Sequence, residues 1–274
     1  MRIEKVTNLT PWMGFIKEIN SDPEFASPGI SSPYLFEHNL IMAVNRPDQI
    51  VLGVWQDNEM AGLFVLIISR DDKNVEMKVD ACRSAEALEA VIVYMQETYP
   101  GFQADFVFNP ANRLLKELLI RKGATFDPEQ VWMEFSGHCP DIDTEGVEVL
   151  SEPYKEQYLA MHVRDVYWTG EKVLESDRFR VLIGVEDGCV AGYLDVTCRM
   201  EENEVYSLLV KPSDRETGWS RKLLVKALEM NTPRGMMVLT NVEDIAETAL
   251  YESVGFEKVP GRNSITATWI IPEK

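Results

Sequence analysis

Cysteine, histidine, positive charge and long apolar runs are all scarce in this sequence, and each scarcity excludes something. The four cysteines, Cys82, Cys139, Cys189 and Cys198, form no C-x-x-C pair and are too few among 274 residues for a disulfide framework, so reduced thiols are expected. The three histidines, His38, His138 and His162, are too scattered to assemble a metal site, and no metal is expected. Lys and Arg number 27 against 45 Asp and Glu, a formal net charge of -18. Affinity for nucleic acid rests mostly on neutralising phosphates with Lys and Arg, so that balance excludes a general nucleic-acid binder. The longest apolar run, Leu63-Phe64-Val65-Leu66-Ile67-Ile68, is far too short to span a bilayer. The start, Met1-Arg2-Ile3-Glu4-Lys5, has no apolar signal core, so a cytoplasmic location away from membranes is expected.

What is present is the composition of a folded protein, 45% apolar and 26% charged, at a length that suits two domains better than one. The two halves resemble each other. Val51-Leu52-Gly53-Val54 leads through Asp57-Asn58-Glu59 to Met60-Ala61-Gly62-Leu63-Phe64, and Leu182-Ile183-Gly184-Val185 leads through Glu186-Asp187-Gly188 to Val190-Ala191-Gly192-Tyr193-Leu194. Each reads as two apolar strands around a polar turn, a β-hairpin. Val75 to Val79 then aligns with Val205 to Val210 as a strand, and the segment from Asn112 to Ala124 aligns with that from Asp244 to Phe256 as a helix ending in glycine. Three segments in one order at nearly one offset mark an internal repeat. The polar stretch from Cys139 to Gly146, with Pro140 and no periodicity, reads as the linker. The expected boundaries are therefore a first domain over 1–138, a linker over 139–146 and a second domain over 147–274. The fold class expected is α/β (α+β), each domain a mixed, mostly antiparallel sheet flanked by helices.

The segment from Glu204 to Met230 carries the chemistry. A strand to Val210 is ended by Pro212, which has no amide proton, and apolar residues then recur with helical spacing at Leu223, Leu224, Ala227, Leu228 and Met230. Between them runs the loop Ser213-Asp214-Arg215-Glu216-Thr217-Gly218-Trp219-Ser220. A strand that feeds a helix through such a loop points free amides and the positive end of the helix dipole at one place, an anion site. Gly218 permits a backbone conformation and a close approach closed to larger residues. Lys211, Arg215, Arg221 and Lys222 supply positive charge in an acidic chain, which suits a pyrophosphate.

The spacing Arg215-x-x-Gly218-x-Ser220 resembles the Q/R-x-x-G-x-G/A loop of the GNAT superfamily of acetyl-CoA-dependent N-acyltransferases. Leu250-Tyr251-Glu252-Ser253-Val254-Gly255-Phe256 is similar to the same family's L-Y-x-x-x-G-F segment. Ser220 stands where a second Gly or Ala is usual, and Asp244 where many members carry Asn. The resemblance covers the second domain nearly end to end and implies two GNAT-like domains in tandem. It implies that acetyl-CoA is the cosubstrate, with its pyrophosphate held by Arg215, Glu216, Thr217, Gly218, Trp219, Ser220 and Arg221. It also implies that the pantetheine arm pairs with the main chain of Leu208, Leu209 and Val210. Tyr251 matches the tyrosine that serves as general acid toward the departing sulfur, and Glu204 stands where some members place the base for the acceptor amine. Asp195 is a substitute for that base.

The first repeat lacks this machinery. After Val79 it reads Asp80-Ala81-Cys82-Arg83-Ser84-Ala85-Glu86-Ala87, with no glycine for a phosphate loop, and Leu119 stands at the position of Tyr251. The expected activity is transfer of an acetyl group to an amine of a small-molecule acceptor lying against Val166-Tyr167-Trp168-Thr169-Gly170. The same features also fit a sensor that binds acetyl-CoA without transfer and an interaction module whose loop is vestigial. The acceptor and the oligomeric state are not fixed by the sequence.

Overall fold

The computed structural model describes residues 1–164 and 166–273, with Arg215 and Glu216 described by their backbone alone. Two compact units divide the chain, residues 1–130 with 260–274, and residues 131–259. In the first repeat β1 (Arg2–Lys5) precedes the helices α1 (Met13–Asn20) and α2 (Pro33–Phe36). The hairpin β2 (Gln49–Gln56) and β3 (Glu59–Ser69) follows, then β4 (Asn74–Cys82), α3 (Ala85–Thr98), β5 (Gln103–Phe108), α4 (Arg113–Lys122), the short β6 (Thr125–Phe126) and β7 (Gln130–Phe135). The second repeat runs β8 (Val147–Val149), α5 (Lys155–Met161), α6 (Gly170–Glu175), β9 (Phe179–Glu186), β10 (Cys189–Thr197), β11 (Glu202–Val210), α7 (Trp219–Asn231), β12 (Gly235–Asn241), α8 (Ile245–Glu252), β13 (Phe256–Lys258) and β14 (Ile265–Ile270).

The hairpins form where the sequence asks for them. Asp57 and Asn58 in one, Asp187 and Gly188 in the other, all have positive φ, the two-residue turn whose twist matches that of its strands. The sheets order as β1-β2-β3-β4-β5-β14-β6 and β13-β7-β12-β11-β10-β9-β8. Both are mixed, with a parallel pair in each, β4 with β5 and β11 with β12, beside antiparallel neighbours.

These boundaries correct the expected cut at 139–146. The strand beside β5 in the first sheet is β14, from the end of the sequence, and the strand between β12 and β13 in the second sheet is β7, from the first repeat. The two repeats thus exchange one strand each. In β14 the alternating Ile265, Ala267 and Trp269 are buried in the first core, with Ala267 opposite Phe106. A polar linker between repeats is a local signal, whereas strand partners are chosen by which apolar face they complete, and the two need not coincide.

The second core is built from the buried stripe Leu223, Leu224, Ala227 and Leu228 of α7 against Leu194, Val196, Val205 and Val210, with Tyr251 and Phe256 from the last helix and strand. Each fully buried leucine there contributes about 2–3 kcal/mol. On the opposite face of the second sheet, Tyr158, Val173, Val181, Ile183, Val190 and Tyr193 form a separate cluster. The strands are thereby fixed from both sides.

Candidate active site

The parallel ladder between β11 and β12 runs only from Glu202 opposite Gly235 to Val205 opposite Val238. The other neighbour, β10, follows β11 to its end, with Gly192 opposite Val210. Asp195 lies opposite Ser207 and Val196 opposite Val205, so Tyr206 is the extra residue of a β-bulge placed where the ladder with β12 stops. Ser207, Leu208, Leu209 and Val210 therefore keep main-chain groups on the β12 side outside that ladder. Leu208 packs toward the α7 core and Leu209 toward the opposite cluster, and Val210 is buried.

Lys211 leads into a 3₁₀ turn, Pro212–Thr217, and then Gly218 at φ 85° opens α7. A β-carbon on Gly218 would meet nothing within 4 Å. Its left-handed conformation favours glycine, and the space a side chain would take is open. The Trp219 side chain turns into the core, where its ring lies so close to Gly184 that a β-carbon on the glycine would come within 2.5 Å of it. Only the main chain of Trp219 is left for a ligand. Ser220 is half-buried in the first turn of α7. Arg221 donates through Nε to Ser253 Oγ at 3.0 Å, Lys222 Nζ donates to the Glu145 carbonyl at 3.2 Å, and Thr217 Oγ1 donates to the Asp214 carbonyl at 2.6 Å. The side chains of Arg215 and Glu216 lie outside the described residues.

Tyr251 is 3% exposed, its ring edge-on to Phe256 at 5.8 Å. Its hydroxyl donates to Glu247 Oε1 at 3.3 Å, and Thr240 Oγ1 donates to the other oxygen of the same carboxylate. Burial raises the phenol's pKa well above its ordinary value, and the Glu247 carboxylate raises it further. Asp244 caps α8, accepting the Glu247 amide at 2.8 Å, just as Asn112 caps α4 by accepting the Leu115 amide at 3.1 Å. A cap needs only a side-chain acceptor, so Asp serves where the family often has Asn.

Glu204 is half-buried on β11, and its amide donates to Thr197 Oγ1 at 2.7 Å. Asp195 cannot stand in as a base in the way the sequence suggests. It is fully buried and both its oxygens are bonded, Oδ1 to the Tyr158 hydroxyl at 3.0 Å and Oδ2 to His162 Nε2 at 2.9 Å. His162 Nδ1 meets the Val163 carbonyl at 2.8 Å. Burial acts against the charged imidazole, but its bonds to the Asp195 carboxylate and the Val163 carbonyl more than offset that and raise its pKa. The sequence reading counted His162 only as scattered. The signal that could have found its partner is a carboxylate at the apolar centre of β10, because a buried charge requires a mate.

The first repeat keeps the opening and fills it. β4 pairs with β5 only from Asn74 to Met77, with Lys78 as the bulge against β3. Two residues after β4, Ala85 begins α3 under a Ser84 cap with Glu86 in its first turn, an acidic group where the second repeat offers amides. The 3₁₀ turn Pro28–Ile30 touches both β4 and β5. A β-carbon on Gly29 would come within 2.1 Å of the Lys78 carbonyl oxygen. The Asp80 amide donates to Ser27 Oγ at 3.4 Å, and Asn39 Nδ2 donates to the Gly29 carbonyl at 2.7 Å.

Among the described residues no helix is long and apolar enough to cross a membrane, and no group of three or more His, Cys, Asp or Glu could hold a metal ion. Residues 140–270 match the acetyltransferase (GNAT) domain. No curated protein matches the sequence. Among solved structures, a tandem GNAT protein from the clavulanic acid biosynthesis pathway is similar over 100% of both chains, with a TM-score of 0.56 at 12% identity. A GNAT-family acetyltransferase from Colwellia psychrerythraea is similar over 98% of this chain and 100% of its own, with a TM-score of 0.53 at 12% identity. A GCN5-related N-acetyltransferase from Sphaerobacter thermophilus has a TM-score of 0.60 at 13% identity, covering 83% of this chain and 82% of its own. The family's donor is acetyl-CoA, and the strand opening that leads into the α7 amides fits such a donor. Residues 140–270 thus form an acetyltransferase (GNAT) domain, and the two-sheet fold is shared along the whole chain with tandem GNAT structures.

Proposed function

We propose that the second unit transfers an acetyl group from acetyl-CoA to an amine of a small-molecule acceptor. The observation that carries the proposal is the ladder that ends at Val205, leaving β11 to run beside an opening into the left-handed Gly218 and the first turn of α7. Bound there, the cosubstrate supplies a thioester as acetyl donor. The main chain of Leu208, Leu209 and Val210 pairs with its extended amide arm. The amides of Thr217, Gly218, Trp219 and Ser220, with the α7 dipole, hold its pyrophosphate, and Arg215, Glu216 and Arg221 complete that loop.

In the reaction the amine nitrogen forms a C–N bond to the acetyl carbonyl carbon while the C–S bond breaks. The sulfur keeps the bonding pair, and the amine gives up one proton. Glu204 receives that proton, directly or through water, and Tyr251 supplies one to the sulfur. The raised phenol stays protonated at neutral pH, which keeps it able to donate. The acceptor lies against residues 166–170.

The first unit takes no acetyl-CoA in this reading. It has no glycine loop, it carries Leu119 where the second repeat has Tyr251, and its strand opening holds residues 27–30 of its own chain. One observation favours the alternative of an acetyl-CoA sensor without transfer, namely that the Tyr251 hydroxyl is already engaged by Glu247. Calorimetric titration with acetyl-CoA, followed by an amine screen with product mass spectrometry, separates the readings. Binding that is lost in Gly218→Asp, together with acetylated product, supports the enzyme. Binding without product from any amine selects the sensor, and no binding by the wild type sinks both.

A further inference from the structure

Tyr206, the bulge residue at the point where the β11–β12 ladder stops, is the start of a continuous row of aromatic rings. Its ring stands edge-on to Phe179 at 5.6 Å, Phe179 to Trp168 at 5.0 Å, and Trp168 to Tyr167 at 5.5 Å. The two end members are open to solvent, Tyr206 at 37% and Tyr167 at 64% exposure. A row of rings exposed at both ends leaves apolar faces that the fold itself does not cover. The outer end already meets an ammonium, since Lys172 Nζ lies 4.3 Å from the Tyr167 ring centroid. At the inner end acids are close. Burial raises the Tyr206 hydroxyl, and the charges of Glu204 and Asp195 raise it further.

We infer that Tyr206, Phe179, Trp168 and Tyr167 form the specificity wall of the acceptor site and select a primary amine carried on an aromatic group. The inference rests on the proposed function and sets the acetyl end of the cosubstrate at the apex of the β11–β12 opening, beside Tyr206. Flat rings stack edge-to-face or offset against such a row, whereas a polyamine or a polyhydroxylated amino sugar would leave its polar groups against hydrocarbon. The amine itself comes to the end of the row where Glu204 stands, so the wall orients the substrate and the acid receives its proton. Phe179 and Tyr206 belong to strands, which gives the wall a rigid inner half, and Tyr167 and Trp168 close it from the segment that follows His162.

The test compares phenethylamine with spermidine as acceptors at saturating acetyl-CoA, in the full chain, with product read by mass spectrometry. The wild type is expected to favour phenethylamine by at least about tenfold in kcat/KM, and Tyr206→Ala and Trp168→Ala each to lower that value by about tenfold, chiefly through KM. Tyr206→Phe keeps the ring and is expected to keep the preference. Acetyl-CoA affinity measured by calorimetry stays within about twofold in all variants, which also shows that they fold. Equal or better use of spermidine, unchanged kinetics in both alanine variants, or acetylation of neither amine by a wild type that binds acetyl-CoA would overturn the inference. Failure of the wild type to bind acetyl-CoA would instead remove the proposed function beneath it.

Discussion

The Tyr251 hydroxyl donates to the carboxylate of Glu247, one helical turn back on α8, at 3.3 Å. A phenol so placed is a weaker acid than a free one, and to protonate a thiolate it must leave the carboxylate for the sulfur. A free thiol has a pKa of about 8.5 and a free phenol about 10, so the transfer is uphill by itself and must be coupled to cleavage of the C–S bond and to return of the amine's proton to the phenolate. Tyr251→Phe is expected to lower kcat by about 10²- to 10⁴-fold, the usual range for loss of a general acid. Acetyl-CoA affinity in calorimetry should hardly change. A variant that turns over at the wild-type rate would leave the sulfur to be protonated by water.

The same pair fixes the sign of the pH dependence. Tyr251 acts in its protonated form, and burial with Glu247 raises its pKa, so the rate is expected to hold on the alkaline side beyond the ordinary tyrosine range. Glu247→Gln removes one of the raising influences. Its alkaline limb should therefore move to lower pH, read from kcat against pH at saturating substrates. A limb that stays in place would show that Tyr251 is not the titrating acid.

In the first unit Asp80 is 2% exposed, its Oδ2 accepts from Asn112 Nδ2 at 3.3 Å, and its Oδ1 has no hydrogen-bond partner among the described residues. Burial raises its pKa from 3.8 to about 7. A carboxyl raised on folding contributes stability that is fully present below its unfolded pKa and is lost as pH rises through the folded one. The melting temperature of this unit should fall between about pH 4 and pH 7, by an amount on the order of a few kcal/mol in stability. Asp80→Asn is expected to flatten that slope in calorimetric scans and to melt higher than wild type at pH 8. A slope that survives the substitution would assign it to other groups.

The parts of this fold that were legible in the sequence are the ones set by neighbours along the chain. The hairpins follow from Asp57-Asn58 and Asp187-Gly188, whose positive φ is a matter of local turn chemistry. The strand, loop and helix from Glu202 to Asn231 follow from Pro212, Gly218 and the apolar stripe of α7. The exchange of β7 and β14 was not legible, because a strand pattern fixes which face is buried and leaves the partner to the rest of the core. At the site, the main chain of the loop could be read from spacing, while the directions of the side chains could not. Spacing groups Trp219 with the loop, yet its ring packs against Gly184; position on β10 offers Asp195 as a base, yet Tyr158 and His162 hold both its oxygens. Tyr206 and Phe179 carry no joint signal in the sequence, because they are far apart along it and meet only through the pairing of β9, β10 and β11.

The turn Pro28–Ile30 is expected to limit binding to one acetyl-CoA per chain. Its backbone meets the Lys78 carbonyl so closely that only glycine fits at position 29, and the side chains of Asn39 and Asn20 hold it through the carbonyls of Gly29 and Ile30 at 2.7 and 3.2 Å. A ligand arm entering between β4 and β5 would have to displace these bonds and the buried Ile30. Titration should therefore give a stoichiometry of about one, set by the loop after β11, and Gly218→Asp should abolish it altogether. In Gly29→Val the added side chain meets the Lys78 carbonyl, which is expected to cost about 1–3 kcal/mol, as overpacking does, and to speed amide exchange at residues 27–30 and 79–82. Acetyl-CoA binding in the second unit should be untouched by that change. Residual binding in Gly218→Asp, or protection of residues 75–82 by acetyl-CoA in the wild type, would show instead that the turn yields and that the first unit takes the cosubstrate as well.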